Sequence, residues 1–283
     1  MKKDLTTIIL VAIFAVGLCL LLYPSVSNYW NSFHQTQAVA NYVDAVADLN
    51  TADYEKMHRE ASEYNKELAK GAFNLNLSKA EMKRYDKILD VTGTGIMGYV
   101  EVPSIRCTLP IYHGTDEGVL EIAIGHIAGT SFPIGGKSTH CVLSGHRGLP
   151  SAKLFSELDQ LKEGDLFMLR TLDETLTYEV DQILIVLPEE TEALKIEKGK
   201  DLCTLITCTP YGVNTHRLLV RGHRVGNVND DIRVTADALQ IAPEIVAPVV
   251  AAPMLLALLI WLLVTTRKPS RRKIARGDSG EKE

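Results

Sequence analysis

One cysteine, one arginine and two histidines lie at positions in the sequence where they could form a site with a thiol nucleophile. Cys208 ends the apolar run 204–208 and is followed by a Thr-Pro pair, which predicts that it lies where a strand meets a loop. Arg217 opens the next apolar run nine residues later. That spacing corresponds to one loop between adjacent antiparallel strands, so Cys208 and Arg217 are expected to face each other. His146 and His216 also lie near predicted strand ends.

A nucleophilic cysteine needs a group that makes and holds its thiolate, a proton donor for the leaving amine and a group that stabilises an oxyanion. The spacing alone does not establish such a site, because a free cysteine in a strand is more often a small buried hydrophobe. Strand alternation narrows the choice: His216 is next to Arg217, so it points to the opposite face of a regular strand. Cys203 and Cys208 are five residues apart and also face opposite ways, so we expect no disulfide between them.

The elements that position these residues are predicted to be short strands. From residue 93 onwards, β-rich runs alternate with Gly and Pro: MGYVEVPSI, CTLPIY, HCVLSGH, DLFMLRTL, TLTYEVDQILIVL, DLCTLITCT and HRLLVRGHRV. Many short strands at this spacing predict a mainly β protein with a closed or nearly closed β-barrel. The stretches GVLEIAIGHIAGT and SAKLFSELDQLKEGD are predicted to be short helices. Residues 25–70 contain no Pro or Gly and are predicted to form a helix or a helical hairpin.

Two segments, 5–23 and 245–266, carry no charge, and each approaches the roughly 20 apolar residues that span a bilayer. Lys and Arg flank both on the outer side, so the positive-inside rule predicts cytoplasmic termini and an extracytoplasmic middle. For the first segment a cleaved signal peptide is the alternative to an anchor; for the second, it is a buried core helix. Residues 24–244 hold 31 acidic and 21 basic side chains, a net charge of −10, which argues against nucleic acid as a partner.

The run TLITC at 204–208 matches the T-L-x-T-C signature of the sortases, the membrane-anchored cysteine transpeptidases of Gram-positive bacteria. LSGHRGLPSAKLF around His146 resembles their catalytic-histidine segment, and THRLLVRGHR around Arg217 resembles their catalytic-arginine strand. The segments GIMGYVEVPSI, LPIYHGT, GHIAGTSFPIGG and TCTPYGVNTHRLLVRGHR look like the class C sortases, which assemble pili. The resemblance covers about residues 85–228. It implies a sortase-type barrel with short helices, after a helical N-terminal region and between two transmembrane helices.

The resemblance also implies the chemistry. Cys208 would be the nucleophile, His146 the general acid and then base, and Arg217 the fixed positive charge near the substrate carbonyl. Thr207 would contact substrate or support the oxyanion site, although strand packing explains it equally well. No metal or other cofactor is implied. His113 and His126 are interpreted as structural, and Cys107 and Cys141 as buried thiols.

The implied substrate is an LPxTG-like sorting signal, cleaved between Thr and Gly and passed through a thioester to a lysine amine of the next pilin. Three alternatives remain open: a sortase that uses a cell-wall amine, a membrane-tethered cysteine protease that uses water, and a non-catalytic pilus-assembly scaffold. Many class C enzymes carry an Asp-Pro-aromatic lid, but no Asp-Pro pair occurs in this sequence. Phe73 has no acid beside it, so we expect an open or weakly covered site.

The predicted organisation is that of a multi-pass protein of the cell membrane whose catalytic domain lies outside the cytoplasm. The predicted segments, in order, are a cytoplasmic N-terminus (1–4), a transmembrane anchor or signal peptide (5–23), a helical extracytoplasmic region (24–85), the catalytic barrel (86–228), a linker (229–244), a transmembrane helix (245–266) and a basic cytoplasmic tail (267–283).

Overall fold

The computed structural model describes residues 2–71 and 73–227, together with Leu256. The helices within these residues are α1 (Lys2–Ala47), α2 (Thr51–Leu68), α3 (Lys79–Tyr85) and the single turn α4 (Glu117–Leu120). The strands are β1 (Ile96–Val102), β2 (Cys107–His113), β3 (Ile124–His126), β4 (Thr139–Ser144), β5 (Leu166–Thr171), β6 (Glu174–Val186), β7 (Asp201–Thr209) and β8 (His216–Arg224). Short 3-10 turns lie at Pro103–Ile105, Leu158–Gln160 and Glu192–Leu194.

The eight strands close into a barrel in the order β1-β2-β3-β4-β7-β8-β6-β5. The pairs β2–β3 and β4–β7 are parallel, and the other neighbours are antiparallel. The prediction of a mainly β protein with a closed barrel is confirmed. Each of the seven predicted β-rich runs contains one strand.

The two stretches predicted as short helices are largely not helical. The first contains only the single turn α4 before the chain becomes β3, and the second contains only the 3-10 turn Leu158–Gln160. In β3, a Cβ on Gly125 would lie 2.0 Å from the Gly114 carbonyl oxygen, so glycine permits the close approach of the two backbones. With only three residues, β3 is too short for its own pattern to predict a strand, and its pairing with β2 and β4 decides its conformation.

Alternation along the strands separates two apolar clusters. The interior cluster is built from large buried side chains that include Val100, Leu143, Phe167, Leu205 and Val220. A second cluster lies on the other face of β4, β7 and β8 and contains Val142, Leu194, Ile206 and Leu219. We call it the outer cluster. Because successive strand residues point to opposite faces, Cys208 shares the outer face with Ile206.

The helical prediction for residues 25–70 is confirmed by α1 and α2, which are separated at residues 48–50. Asn50 caps α2 by accepting a hydrogen bond from the Asp53 amide at 2.9 Å. Asn65 on α2 is buried and exchanges two hydrogen bonds with the backbone of Phe132, at 2.7 and 3.2 Å. These bonds hold α2 against the barrel, and a capping box of Ser78 and Glu81 starts α3. The connection between α2 and α3 therefore has both its ends anchored.

Among the described residues, one helical stretch, Ile9–Ala47 within α1, is long and apolar enough to cross a membrane. The described residues from Val26 to Asn227 belong to the compact unit that contains the barrel, and the part of α1 up to Ser25 belongs to a second unit. The predicted linker 229–244, transmembrane helix 245–266 and tail 267–283 lie outside the described residues, apart from Leu256. A second transmembrane helix therefore remains a prediction from the sequence.

Candidate active site

Cys208 and Arg217 face each other across the β7–β8 pair, as the sequence spacing predicts. They are Cα partners in the antiparallel register, two residues beyond the partners Ile206 and Leu219 of the outer cluster. Cys208 is a free, partly exposed thiol. The fully buried Cys203 lies on the interior face, so the predicted absence of a disulfide between these two cysteines is confirmed.

The Arg217 guanidinium is oriented by the loop that joins β7 to β8. One of its terminal nitrogens, Nη1, donates to the Asn214 carbonyl at 3.2 Å and to the His216 carbonyl at 3.1 Å. Asn214 has φ 60°, a left-handed conformation that asparagine tolerates better than most residues. This turn therefore directs a carbonyl to the guanidinium and holds its charge at the end of the Cys208 strand.

His146 follows β4, which pairs in parallel with the strand of Cys208. In the β4–β7 register Ser144 is the partner of Ile206, and the Gly145 amide then donates to the Ile206 carbonyl at 3.0 Å. If this register continued for two residues, His146 would lie alongside Cys208. The structure thus pairs Cys208 with Arg217 and places His146 two residues after the end of β4, and the joint action of the three residues stays a prediction.

The backbone around His146 is held tightly although it is outside any strand. The His146 carbonyl accepts a hydrogen bond from the Phe155 amide at 3.2 Å. A Cβ on Gly145 would lie 2.7 Å from the Phe155 ring and 2.8 Å from the side chain of Ile124, so only glycine fits there without displacing them. The position of His146 therefore depends on the packing of the loop that follows it.

The Thr207 side chain is packed inside the barrel, as its strand-packing interpretation expects. Its side chain is buried, with 1% of the residue exposed, and its hydroxyl donates to the Gly145 carbonyl at 2.8 Å. Thr207 thus ties the strand of the nucleophile to the residue that precedes His146. A contact between Thr207 and substrate stays a prediction.

A second connection to the His146 loop was not predicted from the sequence. The Arg147 guanidinium lies 5.7 Å from the ring centroid of Tyr211, on the β7–β8 loop, and pairs with the Asp159 carboxylate. The Arg147 side chain is only 9% exposed. Gly148, at φ 75°, brings the backbone against the same ring: a Cβ there would lie 2.9 Å from the tyrosine. The cation–π contact and this packing join the histidine loop to the loop that follows the nucleophile.

The only sequence signal for this connection was proximity in the chain. Arg147 follows His146 directly, and Tyr211 is three residues after Cys208. No rule of sequence spacing predicts that an arginine and a tyrosine at these positions will contact each other.

The sheet face that carries Cys208 is partly covered by the α2–α3 connection. Phe73 packs against the outer cluster and is itself partly exposed. A groove of about 770 Å³ lies beside it, and its lining includes Gly71, His140, Leu194 and Lys195. Phe73 thus makes apolar contact with this face, while the expected accessibility of Cys208 stays a prediction.

Three other histidines are held by hydrogen bonds within the barrel unit. His140 contacts the Thr204 hydroxyl at 2.7 Å and the Lys195 carbonyl at 3.0 Å. Its burial lowers its pKa, so it is held neutral and pins the β6–β7 connection to the sheet. His113 is similarly engaged by the Gly95 and Ile88 carbonyls, and burial lowers its pKa as well. His126 is fully buried and contacts the Tyr85 hydroxyl at 2.9 Å. The structural interpretation of His113 and His126 therefore agrees with their surroundings.

Of the other two cysteines interpreted as buried thiols, Cys141 is buried, whereas Cys107 is partly exposed at the surface. Cys141 is buried next to its register partner Cys203, and burial raises the pKa of the Cys107 thiol to about 12. Within the described part of the chain, no group of three or more His, Cys, Asp or Glu side chains is arranged to hold a metal ion.

Comparison with known proteins agrees with this architecture. The model of the sortase domain matches residues 100–225. The crystal structure of sortase C1 from Streptococcus agalactiae is 52% identical, with a TM-score of 0.66; the match covers 68% of this chain and 99% of that one. Sortase C from Streptococcus pneumoniae is 41% identical, with a TM-score of 0.61, and the match covers 67% of this chain and 97% of that one.

Sortase D from Bacillus subtilis (strain 168) is 32% identical over 131 residues, which are 45% of this chain and 63% of that relative. The chain therefore spans slightly less than two thirds of that protein, whereas it spans almost all of the two solved sortases. The closed barrel, the strand ends that carry Cys208 and Arg217 and these matches lead to one conclusion: the chain belongs to the sortase family, and its structural neighbours are class C sortases.

Proposed function

We propose that this protein is a cysteine transpeptidase that cleaves an LPxTG-like sorting signal and joins pilin subunits through lysine isopeptide bonds. The observation that carries the proposal is the pairing of Cys208 with Arg217 on β7 and β8, next to the strand β4 that precedes His146. Cys208 is the register partner of Arg217, and the β4–β7 register leads from Ser144 directly to His146. In this proposal a nucleophile, a proton carrier and a permanent cation act together at this edge of the barrel.

The proposed reaction has two acyl-transfer steps. The Cys208 sulfur attacks the carbonyl carbon between Thr and Gly of the signal, and Arg217 stabilises the negative charge on the oxygen. His146 gives a proton to the leaving glycine amine, so the peptide bond breaks and a thioester remains on Cys208. A lysine amine then attacks the thioester, His146 takes its proton, and the cysteine leaves as an isopeptide bond forms.

The pilin acceptor is favoured over a cell-wall amine by the relatives. Class C sortases match almost their whole length to this chain, and the Streptococcus pneumoniae enzyme is described in terms of pilin substrate specificity. A sortase C of Clostridium perfringens has been solved with a C-terminal cell-wall sorting motif, which supports a sorting signal as the first substrate. The occupied positions 146, 208 and 217 argue against a non-catalytic scaffold.

A two-part assay tests this function. The full chain is incubated with a fluorogenic LPxTG-like peptide, and cleavage is followed with and without an added lysine peptide or a cell-wall peptide amine. We expect cleavage that depends on Cys208 and an isopeptide product with the lysine peptide, identified by mass spectrometry. Preferential transfer to the cell-wall amine would instead indicate a wall-anchoring sortase. Release to water alone would indicate a hydrolase.

We further propose that both termini are cytoplasmic and that the barrel lies outside. Support comes from the apolar part of α1 and from the basic residues outside both uncharged segments. Protease added to intact protoplasts should digest the barrel and leave the tail from Arg267 protected. Digestion of that tail in sealed protoplasts would refute this topology, and recovery of a protein lacking residues 1–23 would show that the first segment is a cleaved signal.

A further inference from the structure

The part of α1 that follows the first apolar segment has a polar face bound to the barrel. Asn28 Oδ1 accepts from the Lys153 amide at 2.8 Å, Asn31 Nδ2 donates to the Ser151 carbonyl at 2.8 Å, and Gln35 Nε2 donates to the Ile122 carbonyl at 2.6 Å. These three amide side chains are three and four residues apart, so they share one face of the helix. Two of them hold the loop that follows His146.

The other face of the same turns is apolar and exposed. Val26, Tyr29, Trp30 and Phe33 are between 58% and 66% exposed. Their spacing of three, four and seven residues places them on one stripe. At about 100° per residue, this stripe points roughly 180° away from the three amide side chains. The helix is therefore amphipathic in an unusual sense, because its polar side faces the protein and its apolar side faces outwards.

The composition of this stripe favours a lipid surface as its occupant. Tyr and Trp rings have an apolar body and a polar edge, and they concentrate at the level of the lipid headgroups. The stripe begins three residues after the uncharged segment 5–23, and no Asp, Glu, Lys or Arg occurs anywhere between residues 5 and 43. A helix exposed only to water has no reason to avoid charge over such a length, whereas a helix at the edge of a bilayer does.

We propose that the stripe of Val26, Tyr29, Trp30 and Phe33 lies in the headgroup layer of the membrane, while Asn28, Asn31 and Gln35 hold the barrel on the opposite side. The contacts of Asn28 and Asn31 with residues 151–153 then fix the height of the His146 loop above the lipid. This inference needs the chain to be membrane-anchored but does not depend on its catalytic activity.

Trp30 is itself the reporter for the test. The chain has two tryptophans, Trp30 and Trp261, so the Trp261→Phe variant of the full chain contains only Trp30. This variant is reconstituted into phosphatidylcholine and phosphatidylglycerol vesicles that contain lipid brominated either near the headgroup end or near the methyl end of the acyl chain. We expect stronger quenching by the shallow bromines than by the deep ones, and weak quenching by iodide in the water.

A matched control carries its tryptophan on an exposed position of α3. In the combined variant Trp30→Phe, Trp261→Phe and Lys83→Trp, iodide should quench strongly and neither brominated lipid should quench. The control shares Trp261→Phe with the first variant and differs from it only at positions 30 and 83. The two variants should have the same melting temperature, because Trp30 and Lys83 are exposed.

Three results would overturn the proposal. Iodide quenching of Trp30 as strong as in the Lys83→Trp control would show that the stripe faces water. Stronger quenching by the deep bromines would place Trp30 within the hydrocarbon core. Protection of Trp30 from iodide and from both brominated lipids would show that protein, either another segment or a second copy, covers the stripe.

Discussion

Cys208 and Arg217 stand on two paired strands, whereas His146 stands on a loop that side chains hold in place. We call Cys208 and Arg217 the strand side of the site. Their positions are fixed by the backbone hydrogen bonds between β7 and β8, which form whatever side chains these positions carry. We call His146 and its loop the loop side. Its position depends on the Thr207 hydroxyl, on the Arg147–Asp159 pair and on Tyr211. The two sides should therefore differ in how they respond to mutation. Changes on the strands should act through the reacting groups themselves, and changes around the loop should act through the placement of His146.

The largest effect is expected on the strand side. Cys208→Ala should abolish peptide cleavage and transfer, because no covalent intermediate can form. The matched control is Cys203→Ala on the interior face of the same strand, which should keep the activity and lower the free energy of unfolding by roughly 1–3 kcal/mol. Turnover by purified Cys208→Ala, measured with the fluorogenic peptide, would contradict the assignment of the nucleophile.

Arg217→Lys tests whether the geometry of the cation matters as well as its charge. Lysine keeps the charge but loses the planar guanidinium that the Asn214 and His216 carbonyls orient. We expect kcat/KM to fall on the order of 10²–10³-fold, the usual loss for a missing oxyanion donor. The melting temperature should change little, since Arg217 is partly exposed. Near-normal kinetics in this variant would exclude Arg217 from the oxyanion site.

Thr207→Val removes the hydrogen bond between Thr207 and the Gly145 carbonyl, which joins the two sides, without changing the size of the side chain. The buried Gly145 carbonyl loses its donor, which should cost about 1–3 kcal/mol of stability. Displacement of His146 should also lower kcat by roughly tenfold to a hundredfold. Thr207→Ser keeps the hydroxyl and should restore kcat. If Thr207→Val lowers the melting temperature but leaves kcat and its pH profile unchanged, then Thr207 only packs.

Tyr211→Ala should have a smaller effect on the loop side. Loss of the ring beneath Arg147 removes a cation–π contact of about 0.5–2 kcal/mol, so we expect kcat/KM to fall by up to about thirtyfold. Tyr211→Phe keeps the ring and should behave like the parent. The double variant with Arg147→Ala should lose little more than either single variant, because the two changes remove one interaction. Full additivity in this cycle would show that the two side chains act independently.

The last expected effect concerns stability and leaves the reacting groups unchanged: it is a pH dependence of the free energy of unfolding. Burial lowers the pKa values of His113 and His140 in the folded protein, so the unfolded chain, with histidine pKa near 6.5, binds protons first as the pH falls. The two neutral histidines therefore make their full contribution to the free energy of unfolding above about pH 6.5. Below that pH the free energy of unfolding falls by up to about 1.4 kcal/mol per pH unit for each histidine. Urea unfolding at several pH values measures this slope. A flat profile between about pH 5 and 7 would contradict it.

Much of the barrel and the strand side of the site could be predicted from the sequence. Seven of the eight strands coincide with β-rich runs, and alternation correctly separated Cys203 from Cys208. The distance between Cys208 and Arg217 along the chain was enough to predict their pairing, since a short loop between antiparallel strands leaves few registers. The strand that was missed, β3, has only three residues, and its conformation depends on β2 and β4.

The loop side was decided by the tertiary structure. His146 lies 62 residues before Cys208, and the parallel pairing of β4 with β7 that brings the two segments together has no signature in either strand. Side chains such as Thr207 and Asn31 bond to backbone carbonyls that every residue possesses, so residue types cannot reveal the partner. The sequence by itself determined which residues carry the chemistry and which face of each strand they occupy, because alternation is a local property. Only the folded chain decided which strands are neighbours and how the loop of His146 is held, because those contacts join segments far apart in the chain.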